Sequence, residues 1–133
     1  MKIYAFDVDE CLEISRGPVT LQSMMDLRNE GHIVGICGNW GLFCQVVQGW
    51  QNLVSFVNCS AGLDSEGRVI VGDKSLWLQH FAQYVRADEF VMVGNVFGAL
   101  NSLGVVCGSH DSEAAQIAGW RFIKEDAFAK GVR

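Results

Sequence analysis

Short apolar runs rich in β-branched and aromatic residues alternate along this chain with amphipathic stretches of about a dozen residues, and this alternation limits the possible folds more than any other feature. KIYAFDV (2–8), HIVGIC (32–37), LVSFVNC (53–59) and EFVMVG (89–94) read as strands. They are apolar almost throughout, as strands covered on both faces are. Between them, a stretch opened by Pro18 and closed by Gly31, then 41–50 and 74–86, read as helices. The segment 64–73 reads as a small hairpin with its turn at Asp64 to Gly67. FGALNSLG (97–104) reads as a helix leading into a strand VVCG (105–108), SHDSEAAQIAG (109–119) as a helix and WRFI (120–123) as the last strand. Strand–helix–strand units of this kind predict an α/β three-layer sandwich around a mostly parallel central sheet.

Composition agrees with a packed core. Of 133 residues, 50% are hydrophobic and 19% are charged, and there is a single proline, so one domain spanning 1–133 is expected. A net charge of -5 leaves no run of Lys and Arg able to neutralise a row of phosphates, so nucleic acid enters as a partner only through a local contact. The apolar opening before Asp7 is too short for a signal-peptide core or a membrane span, which predicts a cytoplasmic protein with no membrane partner. Five cysteines without a CxxC pair fit reduced thiols better than a disulfide framework, and none pairs with His32, His80 or His110 at a zinc-like spacing.

In parallel sheets ligands bind outside the carboxyl ends of the strands, so the residues closing each strand carry the functional information. The first strand closes in Asp7 and Asp9, on the same side of the chain if it stays extended. Two such carboxylates repel, and a divalent cation or a shared proton relieves them. Hard oxygen donors of this kind suit magnesium.

The run IYAFDVDECL resembles the first motif of the haloacid dehalogenase (HAD) superfamily, an apolar strand followed by two aspartates one residue apart. The resemblance implies a Rossmannoid fold and a magnesium-dependent phosphate chemistry. Asp7 would be the nucleophile, Asp9 the general acid and base, and the backbone carbonyl of Asp9 would reach the metal. The second strand closes in ICGN, similar to the family's phosphate-holding turn. Cys37 stands there at the position of a hydroxyl residue, followed by Gly38 and Asn39, and a thiol is the weaker donor. Lys74, at the start of a helix and twenty-one residues before Asn95 (95 − 74), matches the family's lysine, which neutralises phosphate and aspartates. The fourth strand ends VGN where the family has VGD, so Asn95 would offer magnesium an oxygen without a charge. Downstream, DSEAAQIAGWRFI resembles a family stretch that begins with a second acid, here Asp111. It lies sixteen residues past Asn95 (111 − 95), a wider gap than the family's. Two readings stay open: Asp111 reaches the metal from a longer loop, or it is the N-cap of the last helix.

The matches run from about residue 3 to residue 123. Too few residues separate Asp9 from Pro18 for a cap domain, and the hairpin near 62–73 is small, so little or no cap is expected. By resemblance, an open site implies a large substrate such as a phosphorylated polymer end, or a neighbouring subunit of a homo-oligomer acting as a lid. A small phosphorylated metabolite is the competing substrate, and Trp40 stands where it could flank one. The functional expectation is a magnesium-dependent phosphatase acting through an aspartyl-phosphate on Asp7. Its rival is a degenerate relative that binds a phosphorylated ligand or a protein partner without turnover. A response-regulator receiver would need an aspartate closing the third strand, and VNCSAG has none.

Overall fold

The computed structural model describes residues 1–58, 61–63, 65–66, 69–71, 74–96, 99–100, 106–107 and 110–133. In chain order the elements are β1 (Lys2–Phe6), a 3-10 turn (Glu13–Ser15), α1 (Leu21–Asn29), β2 (Ile33–Ile36), α2 (Trp40–Val46), α3 (Trp50–Leu53) and β3 (Phe56–Val57). There follow β4 (Ala61–Leu63), β5 (Val69–Val71), α4 (Lys74–Tyr84), β6 (Glu89–Gly94), β7 (Ala99–Leu100), β8 (Val106–Cys107), α5 (Asp111–Ala118), β9 (Arg121–Lys124) and α6 (Glu125–Ala129).

Five strands form one parallel sheet in the order β3-β2-β1-β6-β9, with helices on both faces, a Rossmann-like three-layer α/β fold. Alternation along the strands divides the core. Tyr4, Phe6, Val34, Ile36, Val91, Val93 and Ile123 face Met24 and Leu27 of α1, Phe43 of α2 and Phe128 of α6. Ile3, Ala5, Cys37 and Met92 face Leu78 of α4 and Ala115 of α5. Because both faces are buried, the strands can afford no polar alternation, which is why their sequences read as continuous apolar runs. Successive strands step outward from β1 through β2 to β3, then resume on its other side at β6. The direction of winding therefore reverses between β1 and β6, the place where sheets of this kind form a ligand-binding crevice at their carboxyl ends.

Several elements differ from the sequence reading. The helix expected from Pro18 starts at Leu21, because Val19 pairs with Leu12 in an isolated bridge and Thr20 is the first side chain able to cap, accepting from the Ser23 amide at 3.1 Å. The helix expected over 41–50 stops at Val46; Gly49, with φ of 72°, starts the separate α3, and β3 is left with two residues. The hairpin expected at 64–73 is present as antiparallel β4 and β5, while Asp64 and Gly67 of its turn, and Cys59, lie outside the described residues. The helix expected over 97–104 is not formed at Ala99–Leu100, which pair antiparallel with β8; residues 101–105 lie outside the described residues. A short run such as FGAL carries too little periodicity to separate strand from helix, and the partner strand decides. Helix α6 was not expected at all.

Loop 7–19 behind the first strand is tightly packed. The Gly17 amide donates to the Leu12 carbonyl at 2.9 Å, and a Cβ on Gly17 would collide with the Cys11 backbone. Gly17→Ala is expected to lower stability by about 1–3 kcal/mol, read as a lower urea midpoint with an unchanged m-value.

Candidate active site

The Asp7 amide donates to the Val93 carbonyl at 2.9 Å, which carries the β1–β6 ladder one residue past β1 and delivers the Asp7 carboxylate to the crevice. Asp7 is only 5% exposed. Lys74, the first residue of α4, places Nζ 3.0 Å from Asp7 Oδ1 and 2.7 Å from Asp111 Oδ1. Asp111 is fully buried and opens α5, whose exposed amides favour a negative side chain. Its other oxygen accepts from the Asn95 amide at 2.9 Å. Two glycines make this convergence possible. A Cβ on Gly94 would strike the Asp111 carboxylate, and one on Gly38 would strike Asp7 Oδ1.

Two buried carboxylates share one ammonium, so full ionisation leaves an uncompensated negative charge in a poorly hydrated place. Burial accordingly raises the Asp7 pKa to about 7, against the pull of Lys74 and with Asp111 adding repulsion. Burial alone would lower the Lys74 pKa, yet the Asp7 and Asp111 carboxylates overcome it and hold the lysine above its ordinary value. The lysine therefore stays charged.

Asp9 sits in the turn that follows Val8, where the Cys11 amide donates to the Val8 carbonyl at 3.1 Å and Glu10 has φ of 57°. The Asp9 side chain is exposed, and Oδ1 accepts from Asn39 Nδ2 at 3.3 Å and from Ser15 Oγ at 3.4 Å. Asn39 is also the N-cap of α2, its Oδ1 accepting from the Leu42 amide at 3.2 Å. The Gly38 amide donates to Asn58 Oδ1 at 2.8 Å, and Asn58, closing β3, is 3% exposed. Cys37 is fully buried, and burial pushes its thiol up to about 12, so it behaves as a small hydrophobe. Cys11 is likewise sealed, its thiol raised well above the usual value by burial and then by the field of Asp7.

Asn95 is 3% exposed. Its Nδ2 donates to the Glu10 carbonyl at 3.2 Å, and its Oδ1 is buried with no hydrogen-bond partner among the described residues. An orphaned buried acceptor beside two carboxylates fits a hard cation. Among the described residues no three His, Cys, Asp or Glu side chains are arranged to hold a metal by themselves. Magnesium does not demand that, since it keeps several waters and takes one or two carboxylates together with other oxygens. Asp7, the Asn95 amide oxygen and the Asp9 carbonyl are the groups that suit it; the Asp111 oxygens already accept from Lys74 and Asn95.

The structure thus brings Asp7, Lys74, Asn95 and Asp111 together and sets Asp9, Gly38 and Asn39 along the adjoining rim. The N-cap reading of Asp111 is replaced: His110 occupies the cap and Asp111 is the first helical residue, turned inward. Two residues escaped the sequence reading, Asn58 and Glu125. Both are polar residues closing apolar strands, which was the available signal. Glu125 is partly buried, its carboxyl raised by burial. Comparison of the chain with protein-family models, with curated proteins and with solved structures found no match in any of the three.

Because the folded-state pKa of Asp7 lies above its unfolded value, the stability it contributes is greatest below the unfolded pKa and declines as pH rises towards about 7. Asp7→Asn removes that penalty. In chelator, the variant is expected to melt above the wild type, with a margin larger near pH 8 than near pH 5 by about 5 °C. An equal margin at both values, in calorimetry or by circular dichroism, would contradict the buried carboxylate.

Proposed function

We propose that the chain is a magnesium-dependent phosphohydrolase of the haloacid dehalogenase type, working through an aspartyl-phosphate on Asp7. The supporting observation is the buried Asp7 carboxylate at the end of the central strand, held by a lysine that also contacts Asp111. That arrangement suits an anionic substrate: a phosphate entering the crevice finds a positive charge beside the nucleophile. A resident magnesium ion would neutralise charge on the phosphoryl oxygens and on Asp7.

In the first step an Asp7 oxygen forms a bond to phosphorus as the bond to the leaving oxygen breaks, and Asp9 gives its proton to that oxygen. In the second, Asp9 takes a proton from water, the water oxygen bonds to phosphorus, and the Asp7–phosphorus bond breaks to release phosphate. Exposure of Asp9 suits this work, since its proton must exchange with solvent. The same exposure, with no long insertion after Asp9, supports a substrate approaching from open solvent, either a small phosphorylated molecule or a phosphorylated polymer end. Among the described residues no helix is long and apolar enough to cross a membrane, and we assign the protein to the cytoplasm.

One observation favours a second reading, a relative that binds a phosphorylated ligand without turnover. The Cys37 thiol is sealed, and the Gly38 amide is already engaged by Asn58, which leaves the phosphate turn short of donors.

A single assay separates the two. With magnesium and a generic aryl phosphate the wild type is expected to turn over, Asp7→Asn to lose kcat by about a thousandfold or more, and beryllofluoride to be trapped on Asp7. Phosphate binding without turnover or trapping, under magnesium or manganese, would establish the binder instead.

A further inference from the structure

Two buried acceptor oxygens at the carboxyl edge of the sheet have no hydrogen-bond partner among the described residues, and they belong to the residues that follow two neighbouring strands. One is Oδ1 of Asn95, the other Oε2 of Glu125. Strands β6 and β9 pair in parallel with Gly94 opposite Lys124, so Asn95 and Glu125 are the next residue of each strand and leave the sheet side by side. Val93 and Ile123, two residues earlier, both lie in the core beneath α1 and α6, which sets positions 95 and 125 on that same face. The Asn95 Nδ2 bond to Glu10 identifies the orphan atom as the amide oxygen.

Ordinary structural roles do not account for the pair. A glutamate in the first turn of α6 is favoured by the helix's exposed amides, but that preference is met equally by a carboxylate in water. Acceptors buried without donors are costly, and a native structure rarely keeps two together unless a donor or a cation completes them. A divalent cation taking oxygen ligands satisfies both at once. An amide brings such an ion no charge, whereas a carboxylate on the adjacent strand does. The Asp111 charge is felt at Glu125, after the stronger effects of Lys124 and Asp126, while Asp7 and Asp111 already share the single ammonium of Lys74.

We propose that Glu125 is a ligand of the divalent-cation site, joining Asn95 from the adjacent strand and supplying the negative charge that the amide lacks. The proposal rests on the magnesium reading above and extends it to a residue outside the recognised motifs.

The test is direct binding of manganese(II) to the purified chain, followed by water-proton relaxation, without any substrate. Wild type is expected to bind, and Glu125→Gln to bind about tenfold more weakly or worse while its melting temperature in chelator is unchanged or raised, because the substitution removes a buried charge and keeps the shape. Asn95→Asp is expected to recover affinity in the Glu125→Gln background. Should Glu125→Gln fail to fold, Glu125→Asp serves in its place: its shorter arm is expected to weaken manganese binding, and wild-type affinity in it would overturn the proposal. If wild type binds manganese and folded Glu125→Gln binds it equally well, Glu125 is no ligand and the magnesium reading survives. If wild type binds no divalent cation, the magnesium reading itself fails and takes this inference with it.

Discussion

A charged group can be kept out of water only where an opposite charge meets it at close range, and the Lys74 ammonium does this for two carboxylates at once. Its two ion pairs tie the start of α4 to the end of β1 and to the start of α5, three places far apart in the chain. Removing the lysine would strand two carboxylates in the interior, whereas neutralising Asp7 leaves a matched pair of Lys74 with Asp111. The three side chains meet at the carboxyl end of β1, where the starts of α4 and α5 both reach the edge of the sheet.

That convergence leaves the protein with a local excess of negative charge. Two aspartates against one lysine, with Glu125 nearby, is a poor arrangement for stability and a useful one for holding a cation or receiving an anion with its counter-ion. The thiols at Cys11 and Cys37 are small and sealed, one in each of the two core layers, and offer no donor of any strength. Gly38 and Gly94 complete the packing by letting carboxylates approach the backbone where any side chain would obstruct them.

Much of this was legible in the residues. The apolar runs announced the central strands, because a strand buried on both faces has no room for alternation, and each run ended in the polar residue that now lines the crevice. Asp7 and Asn95 were accessible in this way, and Lys74 through the resemblance, at the start of its helix. Asp111 was found by position, with its role open between metal ligand and helix cap: nothing local distinguishes an acid that caps a helix from one that turns inward, since the difference lies in whether a lysine from another element stands opposite. Asn58 and Glu125 were missed for a related reason. Each closes a short or edge-lying strand whose boundary local periodicity does not define, and their burial is created by neighbours distant in sequence.

The sequence by itself determined the layer architecture and the identity of the groups at each strand end, because burial on two faces and the polarity of strand termini are local consequences of composition. Only the tertiary structure decided which of those groups meet. Strand order, the pairing at Ala99–Leu100 in place of a helix, the meeting of Lys74 with Asp7 and Asp111, and the register that sets Gly94 beside Lys124 all depend on partners far along the chain. Interactions across a sheet edge are set by register between strands, and no window of sequence contains both sides of them.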